Sequence, residues 1–465
     1  MRILHPAVSK WCLPTRGRRF LFLAAAGVVA LLPAFEAARL ATAIILGAST
    51  DPAQLQRALV LDPADAGVEH RLGLTLFYSA SGTPPERAQG LDHLRRATAY
   101  DPYEALYWSD LASACEASRD VSCADDAIKR ALDSSPMTPR LYWSAANYSL
   151  RTGRQAQALV LFERLLDLDP SYAEPVFRIC LRMLGSPESA EQKILAENRN
   201  PHVAAAFLNL ASGLGDDDSA YAEWQHVVSA GGAGLGTLSL AELEPYLDHL
   251  IDAGRQNDAL TVWSDLERLG VVAPPDSGKR AESASYDGAA PAQLVFNGGF
   301  ERNPLNAGLD WRYNPEPFVA VTLSDVASHG GSNSLQIEFT GYRNQEYEPV
   351  FEIVPVQPGR SYLLAGFVRS QAITSDTGPR LRVRDPACLP SSSSCLDASS
   401  ADTISTTPWH PVGLSFTTGP GTRFVRLSIW RPRSRGYPAE ISGMCWVDDV
   451  LIAEQPLEGA LAPRR

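Results

Sequence analysis

ALVLDP at 58–63, ATAYDP at 97–102, ALDSSP at 131–136 and LLDLDP at 165–170 are one phrase written four times. A small or apolar residue stands five places before a proline, and a polar turn separates the two. The last three prolines are 34 residues apart and the first interval is 39. Proline ends a helix because it lacks an amide donor and clashes with the preceding turn, so each phrase marks the close of a helix. The stretch between two prolines holds two amphipathic runs. From Ala105 to Pro136, Trp108, Leu111 and Ala112 fall on the first, and Ala124, Ile128 and Ala131 on the second. The next unit carries Tyr142 and Ala145, then Ala158, Phe162 and Pro170. Small residues let two antiparallel helices approach closely, with larger neighbours filling the grooves.

A 34-residue helix–turn–helix period resembles the tetratricopeptide repeat family. The resemblance implies an all-α helical solenoid. Each hairpin exposes an apolar face that only the next can cover, and the stacked hairpins offer a groove for a protein partner. Past Pro170 the pattern weakens but stays helical, with segments near 172–184, 187–198, 201–214, 217–229, 239–254 and 256–269. About twelve helices are expected across 50–270. GGAGLG at 231–236 lacks the dinucleotide-binding spacing, follows no strand, and reads as a loop.

Upstream, Lys10, Arg16, Arg18 and Arg19 precede the uncharged run FLFLAAAGVVALLPAF at 20–35, and the weaker stretch LATAIILG at 40–47 follows. Sixteen residues lie between a leader's core and a full bilayer span. Residues 1–19 read as a basic cytoplasmic N-terminus and 20–47 as a signal anchor, with a cleaved leader as the alternative. The basic cluster would leave the bulk of the chain outside a bacterial cytoplasmic membrane. Cysteine usage suits that side. Cys115 with Cys123, and Cys388 with Cys395, are close pairs that could oxidise there. The formal net charge of −12 argues against nucleic-acid backbones, which need a basic stripe.

Residues 271–292 are rich in Pro, Ala, Ser and Gly and read as a linker. Beyond them helical periodicity stops, and SLQIEF, SYLLAGFVRS, PVGLSFTT and RFVRLSIW alternate as strands. Eight to ten such runs across 293–455 predict an antiparallel β-sandwich; 456–465 is a tail. In order, LVFNGGFE at 294–301, Trp311, GSNSLQIEF, VQPGRSYLLAGFVRS, Trp409 and MCWVDDVLI resemble the jelly-roll, galactose-binding-like carbohydrate-binding modules of the family 4, 9 and 22 type. The resemblance implies a polysaccharide ligand. It also implies a structural calcium held by Glu301 with Asp448 or Asp449 and backbone carbonyls, carboxylate oxygens suiting that hard cation. For the sugar, Tyr342, Arg343 and Tyr347 form one candidate loop, and Trp430 with Arg431 another. Trp311 and Trp409 read as structural.

No HExxH or GxSxG motif is present, and Glu346 and Glu348 read as a solvated face. The sequence therefore reads as a non-catalytic envelope scaffold that binds protein and polysaccharide, in exopolysaccharide assembly or export. A sandwich that binds no sugar and a carbohydrate-active enzyme are the alternatives.

Overall fold

The computed structural model describes residues 16–80, 82–194, 200–229, 237–273, 293–341, 343–387, 395–437 and 439–455. Most of the 271–292 linker, the GGAGLG loop, Tyr342, Cys388 and the 456–465 tail lie outside them. The chain divides into two compact units, Met1–Asp169 and Pro170–Arg465.

The first unit is a run of helices: α1 Arg16–Gly47, α2 Pro52–Leu61, α3 Ala66–Phe77, α4 Pro84–Tyr100, α5 Ala105–Ala117, α6 Val121–Ser134, α7 Pro139–Arg151 and α8 Gln155–Leu168. Helix starts are capped by acids: Asp65 Oδ1 accepts from Val68 N at 3.0 Å, and Asp120 Oδ1 from Cys123 N at 3.1 Å. Helices α3 with α4, α5 with α6 and α7 with α8 form successive hairpins. In the first, a Cβ at Gly73 would stand 2.9 Å from Gly90 O, and one at Gly90 would stand 2.8 Å from Gly73 O, so neither site has room for a side chain. Ala112 and Ala124 share the core of the second hairpin, and Ala146 and Ala158 are buried in the third. Ala131 packs with Ala105 of its own hairpin and Leu141 of the next.

The longer first interval has a plain cause. The α3–α4 connection spans six residues where α5–α6 needs three, and α4 has 17 residues against 14 in α6. The recurrent proline has a second use beyond ending a helix. Trp108 Nε1 donates to Pro102 O at 2.8 Å, and Tyr142 Oη donates to Pro136 O at 3.1 Å. Both bonds span six residues and tie the turn after one hairpin to the first helix of the next. A disulfide joins Cys115 to Cys123, with Cα atoms 5.7 Å apart, across the end of α5 and the start of α6.

Helix α1 is long and apolar enough to cross a membrane, and the window that qualifies it is unburied. Its last residues do something else. Ala43 and Gly47 are buried, and Leu46 packs on the cluster of Leu55, Ala58, Val68 and Leu72. The stretch 40–47, grouped with the membrane segment on sequence, thus packs as the partner helix of α2.

In the second unit, a short 3-10 turn at Pro170–Tyr172 leads to α9 Ala173–Leu184, α10 Pro187–Ile194, α11 Pro201–Gly213, α12 Asp217–Ser229, α13 Leu240–Asp252 and α14 Gln256–Arg268. The strands are β1 Arg312–Tyr313, β2 Val319–Ser324, β3 Ser334–Thr340, β4 Tyr347–Pro355, β5 Ser361–Ile373, β6 Arg380–Arg384, β7 Asp397–Ser399, β8 Ser405–Thr417, β9 Phe424–Arg431 and β10 Ser442–Glu454. They form two antiparallel sheets of order β1-β4-β9-β6-β7 and β2-β3-β10-β5-β8. Leu335, Ile337, Leu364, Val368, Val425, Leu427 and Ile429 belong to the core between them. Trp311 is fully buried there beside Phe300. The segment before β1 ties back to β10 through Leu294 N to Ile452 O at 3.1 Å and Val450 N to Gly298 O at 2.8 Å.

Helices α13 and α14 dock on this sandwich. Gln256, buried, donates through Nε2 to Val356 O and Arg423 O, each at 2.9 Å. Arg312 grips both oxygens of Asp248, and Trp263 meets Phe296 edge-on at 5.2 Å. These contacts explain why the compact units part at Asp169, within the 50–270 stretch that repeats alone would make continuous.

Candidate functional site

Alternation along β9 sets the site. Val425, Leu427 and Ile429 are buried in the core, so Arg426, Ser428 and Trp430 project from the other face. Strand β6 pairs with β9 in a register that sets Arg380 against Trp430, Arg382 against Ser428 and Arg384 against Arg426. On the other side of β9, Phe351 of β4 stands opposite Ser428, and Arg312 of β1 opposite Phe351. A β-bulge between Tyr347 and Val350 brings Glu348 onto the same face.

The outer face of the β1-β4-β9-β6-β7 sheet is therefore aromatic and charged. Arg382 stacks on Trp430 at 4.3 Å, with Arg380 at 5.6 Å, and the indole N–H donates to Glu346 Oε1 at 2.9 Å. Glu348 accepts from Ser428 Oγ at 2.7 Å and faces Arg382, Arg384 and Arg426 at 3.4, 3.4 and 3.9 Å. Arg382 is clasped by both oxygens of Asp397. Arg426 lies 3.5 Å over Phe351, and burial, with Arg384, Arg312 and Arg382 nearby, lowers its pKa despite Glu348. An aromatic ring beside charged hydrogen-bonding groups can stack on a sugar's C–H face and read its hydroxyls.

Of the sugar candidates read from sequence, the structure sets only Trp430 on this face. Tyr342 lies outside the described residues. Arg343 covers Phe318 at 5.1 Å beside a shallow hollow. Tyr347 is a correction: it is 1% exposed, packs edge-on to Phe339, and burial raises its hydroxyl pKa. Arg431 is another. Fully buried, it donates to Thr377 O, Asn344 Oδ1, Gln345 O, Ser375 Oγ and Ala439 O. It binds three loops together and has no face toward a ligand. The arginines of β6, with Arg426 and Phe351, were missed; RLRVR at 380–384, charge alternating with apolar residues, was the signal for the first. Glu348, read as part of a solvated face, is a correction: its side chain is 17% exposed and sits among three arginines.

The three carboxylates expected to hold calcium all reach one loop, Ser328–Asn333. Glu301 Oε1 accepts from Ser332 N and Asn333 N at 2.8 and 3.1 Å. Asp448 Oδ2 accepts from His329 N and Gly330 N at 2.7 and 3.0 Å, and burial pushes its carboxyl up to about 6. Asp449 Oδ2 meets His329 Nδ1 at 2.6 Å. Gly331, at φ +55, lies so close to Glu301 that a side chain there would collide with its carboxylate. Among the described residues no three His, Cys, Asp or Glu side chains are arranged to hold a metal ion. The oxygen donors and crowded negative charge suit a hard cation, but a calcium here would need carbonyls for most of its shell. Of the other cysteines, Cys395 is disulfide-bonded, while Cys180 and Cys445 are buried thiols pushed up to about 12 by burial.

In the first unit, Ser109, Ala112, Ser113, Ser144, Ala145 and Tyr148 line a groove between α5 and α7. Arg151 and Glu116 bridge it through paired bonds of 2.7 and 2.9 Å.

By fold the chain is a tetratricopeptide-like run of helical hairpins together with a two-sheet antiparallel β-sandwich. No family model matches it, and no curated protein sequence matches it. Among solved structures it is similar to a Family 16 Carbohydrate Binding Module-2, with 17% identity, 35% of this chain and 99% of that one covered, and a TM-score of 0.25. It is also similar to the CBM22-1 xylan-binding domain of Xyn10C from Paenibacillus barcinonensis (15% identity, 36% and 97% covered, TM-score 0.26). A third is MamA (22% identity, 26% and 69% covered, TM-score 0.24).

Beneath the same sheet lies a carboxyl with no cation paired to it among the described residues. Glu352 shares its strand face with Val350 and Val354; Oε1 accepts from Phe296 N at 2.8 Å and Oε2 has no partner. Burial raises its pKa well above the usual range, and Asp310, itself pushed up to about 6 by burial, adds to the effect. The folded state thus keeps a proton that the unfolded chain releases above about pH 4.3. Stability from this group falls as pH rises from there toward the folded pKa, by at most about 1.4 kcal/mol per pH unit. Glu352→Gln keeps the acceptor and abolishes the titration. In thermal scans at pH 4, 6 and 8, the variant's melting temperature should gain on wild type progressively. A constant difference would show that Glu352 is ionised in the fold.

Proposed function

We propose that this chain is a non-catalytic scaffold of the bacterial cell envelope that holds a polysaccharide on its sandwich and a protein in its repeat groove. The observation that carries the reading is Trp430. It is the aromatic ring on the outward face of β9, with a carboxylate at its N–H and guanidinium groups around it. A role in exopolysaccharide assembly or export follows from joining such a face to a membrane helix. Purified full-length protein should bind at least one glycan in an immobilised panel, and Trp430→Ala should weaken that binding by about 1 kcal/mol or more while leaving the melting temperature in place. Equal loss of stability and binding would reassign Trp430 to packing, and no glycan bound would leave only the scaffold.

The bulk of the chain lies outside the cytoplasmic membrane, where the Cys115–Cys123 disulfide persists. Helix α1 is a retained anchor, because its last turns cover Leu55 and Ala58 of α2 and Val68 and Leu72 of α3. Cleavage near Ala43 would strip that cover. In membrane-bound protein, residues 20–43 should therefore remain joined to the rest of the chain in peptide mapping; an N-terminus beginning near Ala43 would refute retention.

Calcium at Glu301, Asp448 and Asp449 would neutralise three carboxylates beside one loop and pin it to β10. Chelation should then lower the melting temperature and added calcium restore it; at 100 times the dissociation constant the stabilisation is about 2.7 kcal/mol. A chelator without effect would leave the hydrogen bonds to the loop as its only clamp.

A further inference from the structure

The outer face of the β1-β4-β9-β6-β7 sheet carries more guanidinium donors than the fold consumes. Nε of Arg312, Arg380, Arg384 and Arg426 is in each case buried without a hydrogen-bond partner. Buried donors are nearly always satisfied, and leaving one unmade is costly. These four share one face of the sheet: Arg384 stands opposite Arg426, Arg380 opposite Trp430, and Arg312 lies on the far side of β4. Glu348 is the shared carboxylate for Arg382, Arg384 and Arg426. Its 3.4 and 3.9 Å approaches leave the Nε atoms of Arg384 and Arg426 without a hydrogen bond, although Arg426 Nη2 donates to Glu348 O at 3.5 Å. Arg382 is committed to Asp397, and Arg312 to Asp248. Arg384 and Arg426 stand opposite each other in the β6–β9 pair and share one oxygen of Glu348, so a single fixed carboxylate serves two guanidinium forks, each of which could take a carboxylate in paired bonds.

We propose that the glycan bound here is acidic, a polysaccharide with carboxylate-bearing sugar units, one carboxylate joining Glu348 as a second acceptor for the guanidinium groups of Arg384 and Arg426 while a neighbouring ring reaches Trp430. The proposal rests on reading this face as a glycan site, and it adds the ligand's charge. Fixed acids limit how much charge the face accepts. Glu346, Glu348 and Asp397 stand among the arginines, and the whole chain carries −12. A chain with about one charge per sugar suits that alternation. A densely charged polyanion would meet repulsion from the same acids.

The test uses full-length protein in detergent and four probes: polygalacturonate and alginate, each beside its esterified, uncharged form. Backbone and linkage stay constant while the charge is removed. At least one polyuronate should bind about tenfold or more tightly than its ester, the scale of one charge-assisted hydrogen bond. Arg384→Gln and Arg426→Gln should each erase that preference by weakening the polyuronate more than its ester, whereas Trp430→Ala should weaken both alike. Arg384 is 36% exposed, so its variant carries the test if Arg426→Gln lowers the melting temperature. Equal affinity for acid and ester overturns the acidic ligand while the glycan reading stands. No binding to any of the four overturns the acidic ligand, and the neutral-glycan panel then decides the broader reading. Heparin bound as tightly as the polyuronates would show unspecific charge attraction and also overturn it.

Discussion

Period-two alternation along Phe424–Arg431 is the constraint on which both core and site depend. Val425, Leu427 and Ile429 fill the space between the sheets, so the intervening residues have no choice of side. Moving the register by one would bury Arg426 and Trp430 and expose three core residues. Since β4 and β6 pair on either side of β9, the same parity passes to both neighbours. A functional surface is thus a by-product of core packing, and its composition is free to vary as long as the inward residues stay apolar.

That parity also decides what could be read in advance. Trp430 and Arg431 are adjacent in a strand, so they must face opposite ways, and treating them as one site was a register error visible in the sequence. Tyr347 pairs with Arg431 and shares its inward direction. The bulge after Tyr347 then returns Glu348 to the outer face, and no alternation pattern announces such a slip. The helical half was more legible because its signal is local. Prolines at a fixed spacing stop helices wherever they occur, and small residues at the crossings follow from helix geometry. The boundary between compact units was hidden for the opposite reason. Gln256 bonds to carbonyls 100 and 167 residues away, and no local pattern reports a partner so distant.

Charge organisation differs between the two ends of the sandwich. At the Ser328–Asn333 loop, carboxylates meet backbone N–H groups, which are fixed by the chain and orient the loop. On the outer sheet, carboxylates meet guanidinium forks on long side chains, which can exchange one partner for another at modest cost. The first arrangement holds a loop in one place; the second can admit a guest. Glu352 and Asp310 form a third environment, where burial raises the pKa of both carboxyls and, at Asp310, outweighs the opposing pull of Arg302.

The docking of α13 and α14 bears on how such a protein could be assembled over evolutionary time. A gene fragment encoding only 293–455 would arrive without Gln256 to cap the carbonyls of Val356 and Arg423, and without Asp248 to neutralise Arg312. Two backbone acceptors and one cation would then need new partners in the recipient. The inheritable cassette is longer than the β-strands and begins upstream of the linker, so shuffling of this sandwich among genes should have carried its two flanking helices along.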